Sequence, residues 1–380
     1  MSISGNNCTK LVVKNVMRGS TPPDYKQKCF DLCRDYLGGV WLKLTVDDVI
    51  VKRLGGGLTN QLYYCALNDG HISSDNKVSQ EVTVRLYQEK HFKDTNDGYE
   101  RLSDVIIALI MSEKKLGPKI YGLFESGQIM AYYKHKCFRK DDHKNAQIVT
   151  QVAKTLAQIH AMDVAVRKTG NSFMDNLDNF LDESKSLFDI KSLINESNCQ
   201  TLSDHELTEE LSWLKKSVAA VDSPVTFTHI DFRGNNIMIT ENDGIVVCDF
   251  EYSCYDCRGY DFGSVFSEWG KEFGHYDHIY YPEDNEIKPF VESYIEESTK
   301  IFGKEFTRDE RNSLKHLMKE VKIFSLVGLM FYVLFTLKMN QSFIPGIPFD
   351  KKIVMQRTEY YYKNYYNLKE KILKEKLITI

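Results

Sequence analysis

The chain has 380 residues, of which 42% are hydrophobic and 27% charged, and its formal net charge is −4. This composition is typical of a soluble globular protein that is long enough for two lobes, each with its own hydrophobic core. The near-neutral charge and the absence of a long basic run argue against a nucleic-acid-binding protein.

The N-terminus and the cysteines indicate the compartment. MSISGNNCTK contains no apolar h-region and no cleavage pattern, so we expect no secretory signal and a cytoplasmic location. Nine cysteines are an odd number and predict reduced thiols rather than a disulfide framework. Cys254 and Cys257 form a C-x-x-C, but no second pair or histidine cluster accompanies them, so a zinc or redox site is not favoured.

The first predicted elements are a helix and a strand pair joined by a glycine turn. Residues 24–37 predict an amphipathic helix that ends at two glycines, and residues 49–67 read as strand, turn and strand. Without Cβ atoms, the turn's amides can approach phosphate oxygens, although an ordinary hairpin turn would have the same sequence. The residues expected to bind nucleotide here are Gly55, Gly56, Gly57, Thr59 and Asn60.

A cation and an acid follow on the next two elements. EVTVRLY at residues 81–87 predicts a strand that carries Arg85, and the amphipathic run around residues 99–115 predicts a helix that carries Glu113. We expect these two side chains to form an ion pair that positions nucleotide phosphates. A surface pair that only stabilises the fold explains Glu113 equally well.

The second half of the chain is predicted to be mainly helical. Residues 147–162 show apolar side chains at helical spacing, and His160 at the end of this run is expected to be structural. Residues 171–220 predict helices with loops, and residues 350–377 predict a final helix. We expect an N-terminal lobe at residues 1–130 and a C-terminal lobe at residues 131–380.

Residues 323–337 form a strongly apolar run that must be considered as a membrane span. Lys322 and Lys338 bracket fifteen residues, which as a helix rise only about 22 Å. The hydrocarbon layer of a bilayer is about 30 Å thick. We therefore expect a buried core helix and no membrane span.

The segment 227–269 carries the most informative side chains. It contains H-x-D, an Asn five residues after that Asp, and D-F-E-Y thirteen residues beyond the Asn. TFTHID and GIVVCDF each end an apolar run with an acid, as if two strands delivered their carboxylates to one place. Asp231 would accept or orient a proton, and Asn236 with Asp249 would hold Mg²⁺, which is the equipment for phosphoryl transfer. Single acids are usually surface charges or helix caps, so the prediction rests on the three together.

Several segments together resemble the choline/ethanolamine kinases. They are GGGLTNQLYYCAL, EVTVRLY, LGPKIYGLF, FTHIDFRGNNI and DFEYSCYDCRGYDFGSVFSEW, and the resemblance extends in order from about Tyr25 to about Tyr362. It implies an α+β, protein-kinase-like, two-lobed fold with a small β-rich N-terminal lobe and a larger, mainly helical C-terminal lobe. It also implies transfer of the ATP γ-phosphate to a small amino alcohol.

The resemblance assigns roles to individual residues. Asp231 matches the catalytic Asp, Asn236 and Asp249 the metal-binding residues, and Arg85 the cation on the ATP phosphates. Residues 131–137, with Tyr132, fall where the family wraps the adenine. The residues that match positions beside the metal and the amino-alcohol pocket are Glu251, Tyr252, Glu268 and Trp269.

The expected substrate is choline, which gives phosphocholine, ahead of ethanolamine. A quaternary ammonium donates no hydrogen bond and needs aromatic faces with a nearby negative charge. Tyr332 and Phe335 lie three apart on one helical face and match positions where the family commonly has pocket-lining tryptophans. Spacing alone fits core aromatics equally well.

The chain also departs from the family pattern. Ile230 replaces the usual Asn between His and Asp, Arg233 stands where Gln is frequent, and Ser264 and Val265 replace Asn-His. Arg233 would add positive charge near phosphate. The alternatives are a kinase for ethanolamine or an amino sugar, and a non-catalytic kinase-like module that binds a ligand or a partner chain. Family members commonly dimerise, so the resemblance also implies a possible homodimer.

Overall fold

A computed structural model describes residues 21–55, 60–72, 78–88, 100–169, 173–187, 189–272, 276, 278–339 and 351–378. These residues form a smaller lobe built on an antiparallel sheet and a larger lobe built mostly from helices. The small lobe and the two halves of the large lobe each have a cluster of buried apolar side chains. The two-lobed prediction is therefore confirmed.

In the described part of the N-terminal lobe, one five-stranded sheet packs with two α-helices. Its elements are α1 (Tyr25–Leu37), β1 (Val49–Leu54), β2 (Gln61–Leu67), β3 (Glu81–Leu86), α2 (Glu100–Glu113), β4 (Ile120–Phe124) and β5 (Gly127–Ala131). The strand order is β1-β2-β3-β5-β4, and every neighbouring pair is antiparallel. Helix α1 buries Cys29, Phe30 and Cys33 against the sheet, because these residues share one helical face.

The C-terminal lobe contains ten helices and two small sheets among the described residues. Its first elements are β6 (His135–Cys137), α3 (Ala146–His160), α4 (Phe173–Leu187), α5 (Ile190–Glu196), α6 (Gln200–Ser203), α7 (Leu207–Ala219), β7 (Val225–Thr228), β8 (Ile237–Thr240), β9 (Ile245–Val247) and β10 (Cys254–Cys257). The rest are α8 (Gly259–Ser267), α9 (Asp284–Phe302), α10 (Glu305–Arg308), α11 (Leu314–Met339) and α12 (Lys351–Lys374). Strands β6, β8 and β9 form one sheet, and β7 pairs with β10.

The chain changes sheet where the two lobes meet. Strand β5 ends at Ala131 in the five-stranded sheet, and β6 begins at His135 and pairs with β8. Only three residues separate these strands. We therefore propose this short segment as the boundary between the lobes.

Helices α8 and α11 cross at very short distance because glycines lie at their contact. A Cβ on Gly263 would come within 2.1 Å of the Phe324 carbonyl oxygen, and one on Gly328 within 2.7 Å of the Gly263 carbonyl oxygen. No other residue could occupy these positions without moving a helix. This close packing brings Tyr332 on α11 against Glu268, which follows α8 directly.

Helix α11 is longer than the sequence predicted. It runs for 26 residues, because Lys322 lies inside it rather than at its end. Lys322 is buried to 3% exposure and forms ion pairs with Asp284 and Glu375 at 2.8 and 2.7 Å. The helix is therefore long and apolar enough to span a bilayer, and the argument from length was wrong. However, 72% of its most apolar 18-residue stretch is buried within the protein, as expected of a core helix.

Candidate active site

Asp231, Asn236 and Asp249 come together near the ends of strands from two different sheets. Asp231 follows β7, Asn236 precedes β8, and Asp249 follows β9, which pairs with β8. The Asn236 Nδ2 donates to Asp231 Oδ2 at 2.7 Å and to the Asp231 carbonyl oxygen at 2.9 Å. Asp249 interacts electrostatically with the Asp231 carboxyl. Strand β7 and the β8–β9 hairpin thus deliver their polar side chains to one place, as the sequence suggested.

The loop before Asp231 is held by a buried carboxylate that the sequence reasoning missed. Asp261 on α8 is fully buried and accepts hydrogen bonds from the backbone N–H groups of His229 and Ile230 at 2.8 and 2.7 Å. His160 lies 3.0 Å from the same carboxylate and 2.9 Å from the Tyr294 hydroxyl. His160 is therefore structural, as expected, and acts with Asp261 to position the catalytic loop. The only sequence signal for Asp261 was its place inside the RGYDFG segment.

Two residues of the site have left-handed backbone conformations. Ile230 has φ of +69° and Asp249 has φ of +67°. For a β-branched residue this conformation is unusual and costs about 1 to 2 kcal/mol. The two hydrogen bonds to Asp261 offset that cost, and the Ile230 side chain is also buried in the core of the C-terminal lobe. The surrounding structure therefore imposes this conformation on the loop.

We expect Ile230→Gly to be more stable than Ile230→Ala, by about 1 kcal/mol. Both variants remove the same buried side chain, so their difference isolates the backbone conformation at φ +69°. Glycine normally destabilises relative to alanine, and the left-handed conformation reverses that order. Urea unfolding of the two proteins measures the difference. If alanine proved the more stable residue, the backbone at Ile230 would not be strained.

The Asp231 carboxyl is tuned by opposing influences. Burial raises its pKa above the ordinary value, Arg233 lowers it, and Asp249 raises it further. The Arg233 Nε donates to Asp231 Oδ1 at 2.8 Å. A raised pKa makes the ionised carboxylate a stronger base, which suits it to accept a proton from a hydroxyl group.

Arg85 connects the N-terminal sheet to the acids of the C-terminal lobe. Its Nη2 lies 2.7 Å from Asp249 Oδ1 and 3.5 Å from Glu251 Oε2. Burial opposes its charged form, but these two acids outweigh that effect and raise the pKa of Arg85. Asn60 adds a second cross-lobe contact, since its Nδ2 donates to Glu251 Oε2 at 3.0 Å.

The predicted ion pair between Arg85 and Glu113 is wrong. Glu113 is the last residue of α2 and is exposed, and no ion pair between it and Arg85 occurs in the described structure. The acids that compensate Arg85 come from the other lobe instead. Glu251, predicted beside the substrate, belongs to this cross-lobe network.

The residues present fit a nucleotide with Mg²⁺. In the described part of the chain, the buried Arg85 Nε has no hydrogen-bond partner, as expected of a donor reserved for a phosphate oxygen. No cluster of three or more His, Cys, Asp or Glu side chains that could hold a metal occurs among the described residues. Mg²⁺ is usually bound through one or two carboxylates and substrate phosphates, so Asn236 and Asp249 would be sufficient as its protein ligands if the ion binds here.

The structure describes only some of the remaining residues that were predicted to bind nucleotide. Gly55 follows β1 and is exposed, whereas Gly56, Gly57 and Thr59 lie outside the described residues. Tyr132 lies between the lobes, and its ring packs edge-on against Tyr64 with centroids 4.6 Å apart.

Glu268 is connected to Asp231 through Arg233, whose guanidinium lies 2.8 Å from Asp231 Oδ1 and 3.9 Å from Glu268 Oε1. The Tyr332 hydroxyl donates to Glu268 Oε1, and the Gly234 N–H donates to Oε2 at 3.3 Å. Tyr332 stacks on Tyr361 of α12, with centroids 4.7 Å apart and ring planes 19° apart. A cavity beside Glu268 is lined in part by Gly234 and Tyr361. The sequence reasoning missed Tyr361, which lies in a Tyr-rich helix without a distinguishing motif.

Three predicted substrate residues do not join this cluster in the described structure. Trp269 is 2% exposed and stacks on His143 and Phe266, so it supports the site from the core. The described ring contacts of Phe335 are with Phe331 and Phe180. Tyr252 packs against the core of the C-terminal lobe. Among the contacts that the structure describes, Tyr332 is the predicted aromatic residue that hydrogen-bonds to Glu268.

Lys271, which lines the cavity, predicts a pH-dependent stability. Burial lowers its pKa to about 7, although Glu268 opposes the shift. Below pH 7 the folded chain therefore holds a poorly solvated ammonium, and above about 10.5 Lys271 is neutral in both states. We expect Lys271→Met to raise the free energy of unfolding below pH 7, with the gain shrinking as pH rises. Unfolding from pH 6 to 10 measures this, with Lys140→Met at an exposed position as control.

Comparisons with known proteins agree with this geometry. The family model described as choline/ethanolamine kinase matches residues 51–363. A Homo sapiens choline/ethanolamine kinase is 27% identical over 345 residues, which cover 87% of this chain and 84% of the human protein. The structure of a Cryptosporidium parvum choline kinase superposes with a TM-score of 0.68 at 18% identity, covering 93% of this chain and 97% of that one.

A Plasmodium vivax ethanolamine kinase superposes with a TM-score of 0.64 at 21% identity, covering 94% of this chain and 92% of that one. These likenesses show that the two lobes have the protein-kinase-like fold that the sequence predicted. The family model covers more than four fifths of the chain, including every residue of the site described above from Asn60 to Tyr361. The chain therefore belongs to the choline/ethanolamine kinase family.

Proposed function

We propose that the chain transfers the γ-phosphate of ATP to choline, giving phosphocholine and ADP, the first step of phosphatidylcholine synthesis by the CDP-choline route. The observation that carries the proposal is the position of Asp231. On one side it is hydrogen-bonded to Asn236 and interacts with Asp249. On the other side Arg233 links it to Glu268. Asp231, the proposed base, thus lies between the proposed metal ligands Asn236 and Asp249 on one side and Glu268, the acid suited to an ammonium, on the other.

Each residue has a role that follows from its contacts. ATP with Mg²⁺ supplies the phosphoryl group and neutralises its charge when bound. Arg85 and Asn236 are fixed by hydrogen bonds, so they need little rearrangement to hold phosphate oxygens and metal. Asp231 accepts the proton of the substrate hydroxyl, and Glu268 orients the ammonium end. Alignment and charge stabilisation contribute most of the rate, because the protein makes no covalent bond to the substrate.

Choline is supported by the acid and the aromatic rings together. Glu268 supplies the negative charge, and Tyr332, Tyr361 and Tyr276 form a chain of ring contacts beside it. Each good contact between a ring and a quaternary ammonium contributes about 0.5 to 2 kcal/mol. Tyr361 and Tyr276 also line the cavity next to Glu268.

Ethanolamine is the second candidate, and the stacking of Tyr332 favours it. Because Tyr332 and Tyr361 are nearly parallel at 4.7 Å, each ring covers one face of the other. A covered face is not available to a quaternary ammonium. A primary ammonium can instead donate hydrogen bonds to the oxygens of Glu268 and Tyr332.

Phosphate transfer to choline and to ethanolamine, measured side by side with ATP and Mg²⁺, tests the proposal. A higher kcat/KM for choline is the expected result, and a higher value for ethanolamine would reverse the preference. Faster turnover of an amino sugar would assign another substrate class. Tight ATP binding without turnover of any of these alcohols would indicate a kinase-like binding module.

A further inference from the structure

Arg233 lies between Asp231 and Glu268, where the proposed reaction would place the ammonium group of the substrate. Its Nε is 2.8 Å from Asp231 Oδ1, and its Nη1 is 3.9 Å from Glu268 Oε1. The Arg233 side chain is only 19% exposed, so water screens its charge weakly. The chain's own cation therefore spans the two carboxylates between which an amino alcohol would be held.

The Glu268 carboxylate already has several partners. Besides Arg233, it accepts hydrogen bonds from the Tyr332 hydroxyl and from the Gly234 N–H. An ammonium that approached Glu268 would have to share this carboxylate with a guanidinium a few ångströms away. Like charges at such distances repel strongly in a partly buried site.

The residue at position 233 determines the net charge of the group formed with Asp231 and Glu268. Asp231, Glu268 and Arg233 together carry a formal charge of −1 when both acids are ionised. A neutral residue at position 233 would leave −2 and remove the repulsion.

We propose that Arg233 is a specificity-determining residue that competes with the substrate ammonium for Glu268 and weakens binding of cationic amino alcohols. The inference rests on the proposed function, since it takes Glu268 as the group that receives the ammonium. Arg233 acts on the charge of the ligand and not on its shape. An uncharged alcohol of the same shape is therefore bound without this penalty.

Binding of choline and of its uncharged carbon isostere, 3,3-dimethyl-1-butanol, to the full chain tests the inference by calorimetry. In Arg233→Gln, we expect the Kd for choline to fall about tenfold or more, while the Kd for the isostere stays within about twofold. Arg233→Lys keeps the charge and is the matched control, with a choline Kd close to wild type. Circular dichroism verifies that each variant is folded.

The ratio of the Kd for choline to the Kd for 3,3-dimethyl-1-butanol decides whether Arg233 competes with the ammonium. An unchanged ratio in Arg233→Gln, or choline binding to neither protein, overturns the competition. In that case a weaker Kd for ATP would assign Arg233 to phosphate binding. Turnover of amino alcohols by the wild-type chain tests the proposed function separately, because a shift in the ratio without turnover supports the role of Arg233 while contradicting the kinase activity.

Discussion

Asp231→Asn is expected to lower kcat by about a hundredfold or more while the fold remains intact. Proton transfer by a positioned base contributes about 10² to 10⁴ in rate, and asparagine cannot accept the proton. Asparagine has nearly the same size, and its oxygen can still accept the hydrogen bond from Arg233 that Asp231 accepts at 2.8 Å. The donor contact from Asn236 is lost, so stability should fall by only about 1 kcal/mol.

Steady-state turnover of choline and ethanolamine measures this effect, with Asp243→Asn at an exposed turn as control. The pH profile provides a second measurement. Since burial raises the pKa of Asp231, kcat should rise with pH as this carboxyl loses its proton, at a pH above the ordinary Asp value. Asp231→Asn should lack this rise. Turnover close to wild type would remove Asp231 from the mechanism.

The proximity of Asp231, Asn236 and Asp249 could be predicted because local sequence largely determines it. Two short apolar runs end in acids, and antiparallel pairing of β8 with β9 places Asn236 and Asp249 at the same end of one hairpin. Asp231 and Asn236 are only five residues apart and contact each other directly. Short-range spacing and strand geometry therefore largely fix these positions.

The partner of Arg85 could not be predicted in the same way. The sequence suggested Glu113, an acid on the next helix, but the structure uses Asp249, which is 164 residues away. Which of 53 acids reaches a buried cation depends on how the lobes pack, and no local pattern encodes that. The same holds for Asp261, whose role depends on burial and on two backbone N–H groups in a different segment.

The aromatic residues show a similar limit. Helical spacing correctly placed Tyr332 and Phe335 on one helix, but it cannot tell which neighbouring helix each ring contacts. Tyr332 stacks on Tyr361 of α12, whereas Phe335 stacks on Phe331 of its own helix. Trp269 and Glu268 were both predicted because they match family positions beside the metal and the amino-alcohol pocket. At the end of α8, however, the Glu268 side chain reaches the loop that carries Asp231, whereas Trp269 packs in the core.

Asp249→Ala is expected to lower kcat by about 10² to 10³ and to raise the Mg²⁺ concentration needed for half-maximal rate. The substitution removes an oxygen ligand suited to Mg²⁺. It also removes the carboxylate that lies 2.7 Å from Arg85 Nη2, so the cation that we propose for phosphate binding loses a group that orients it. Loss of one preorganised group of this kind typically costs about 10² to 10³ in rate. A metal titration of turnover from micromolar to tens of millimolar Mg²⁺ measures both changes.

Alanine at this position also alters the backbone, and a second variant separates the two effects. Asp249 has φ of +67°, a conformation that aspartate and asparagine tolerate better than alanine. Asp249→Asn keeps that tolerance and the size of the side chain but removes the negative charge. If the metal and Arg85 need the charge, both variants should lose activity and shift the Mg²⁺ titration, and only Asp249→Ala should also lose stability. A normal Mg²⁺ titration in Asp249→Asn would exclude the carboxylate as the metal ligand and would attribute the defect of Asp249→Ala to its backbone.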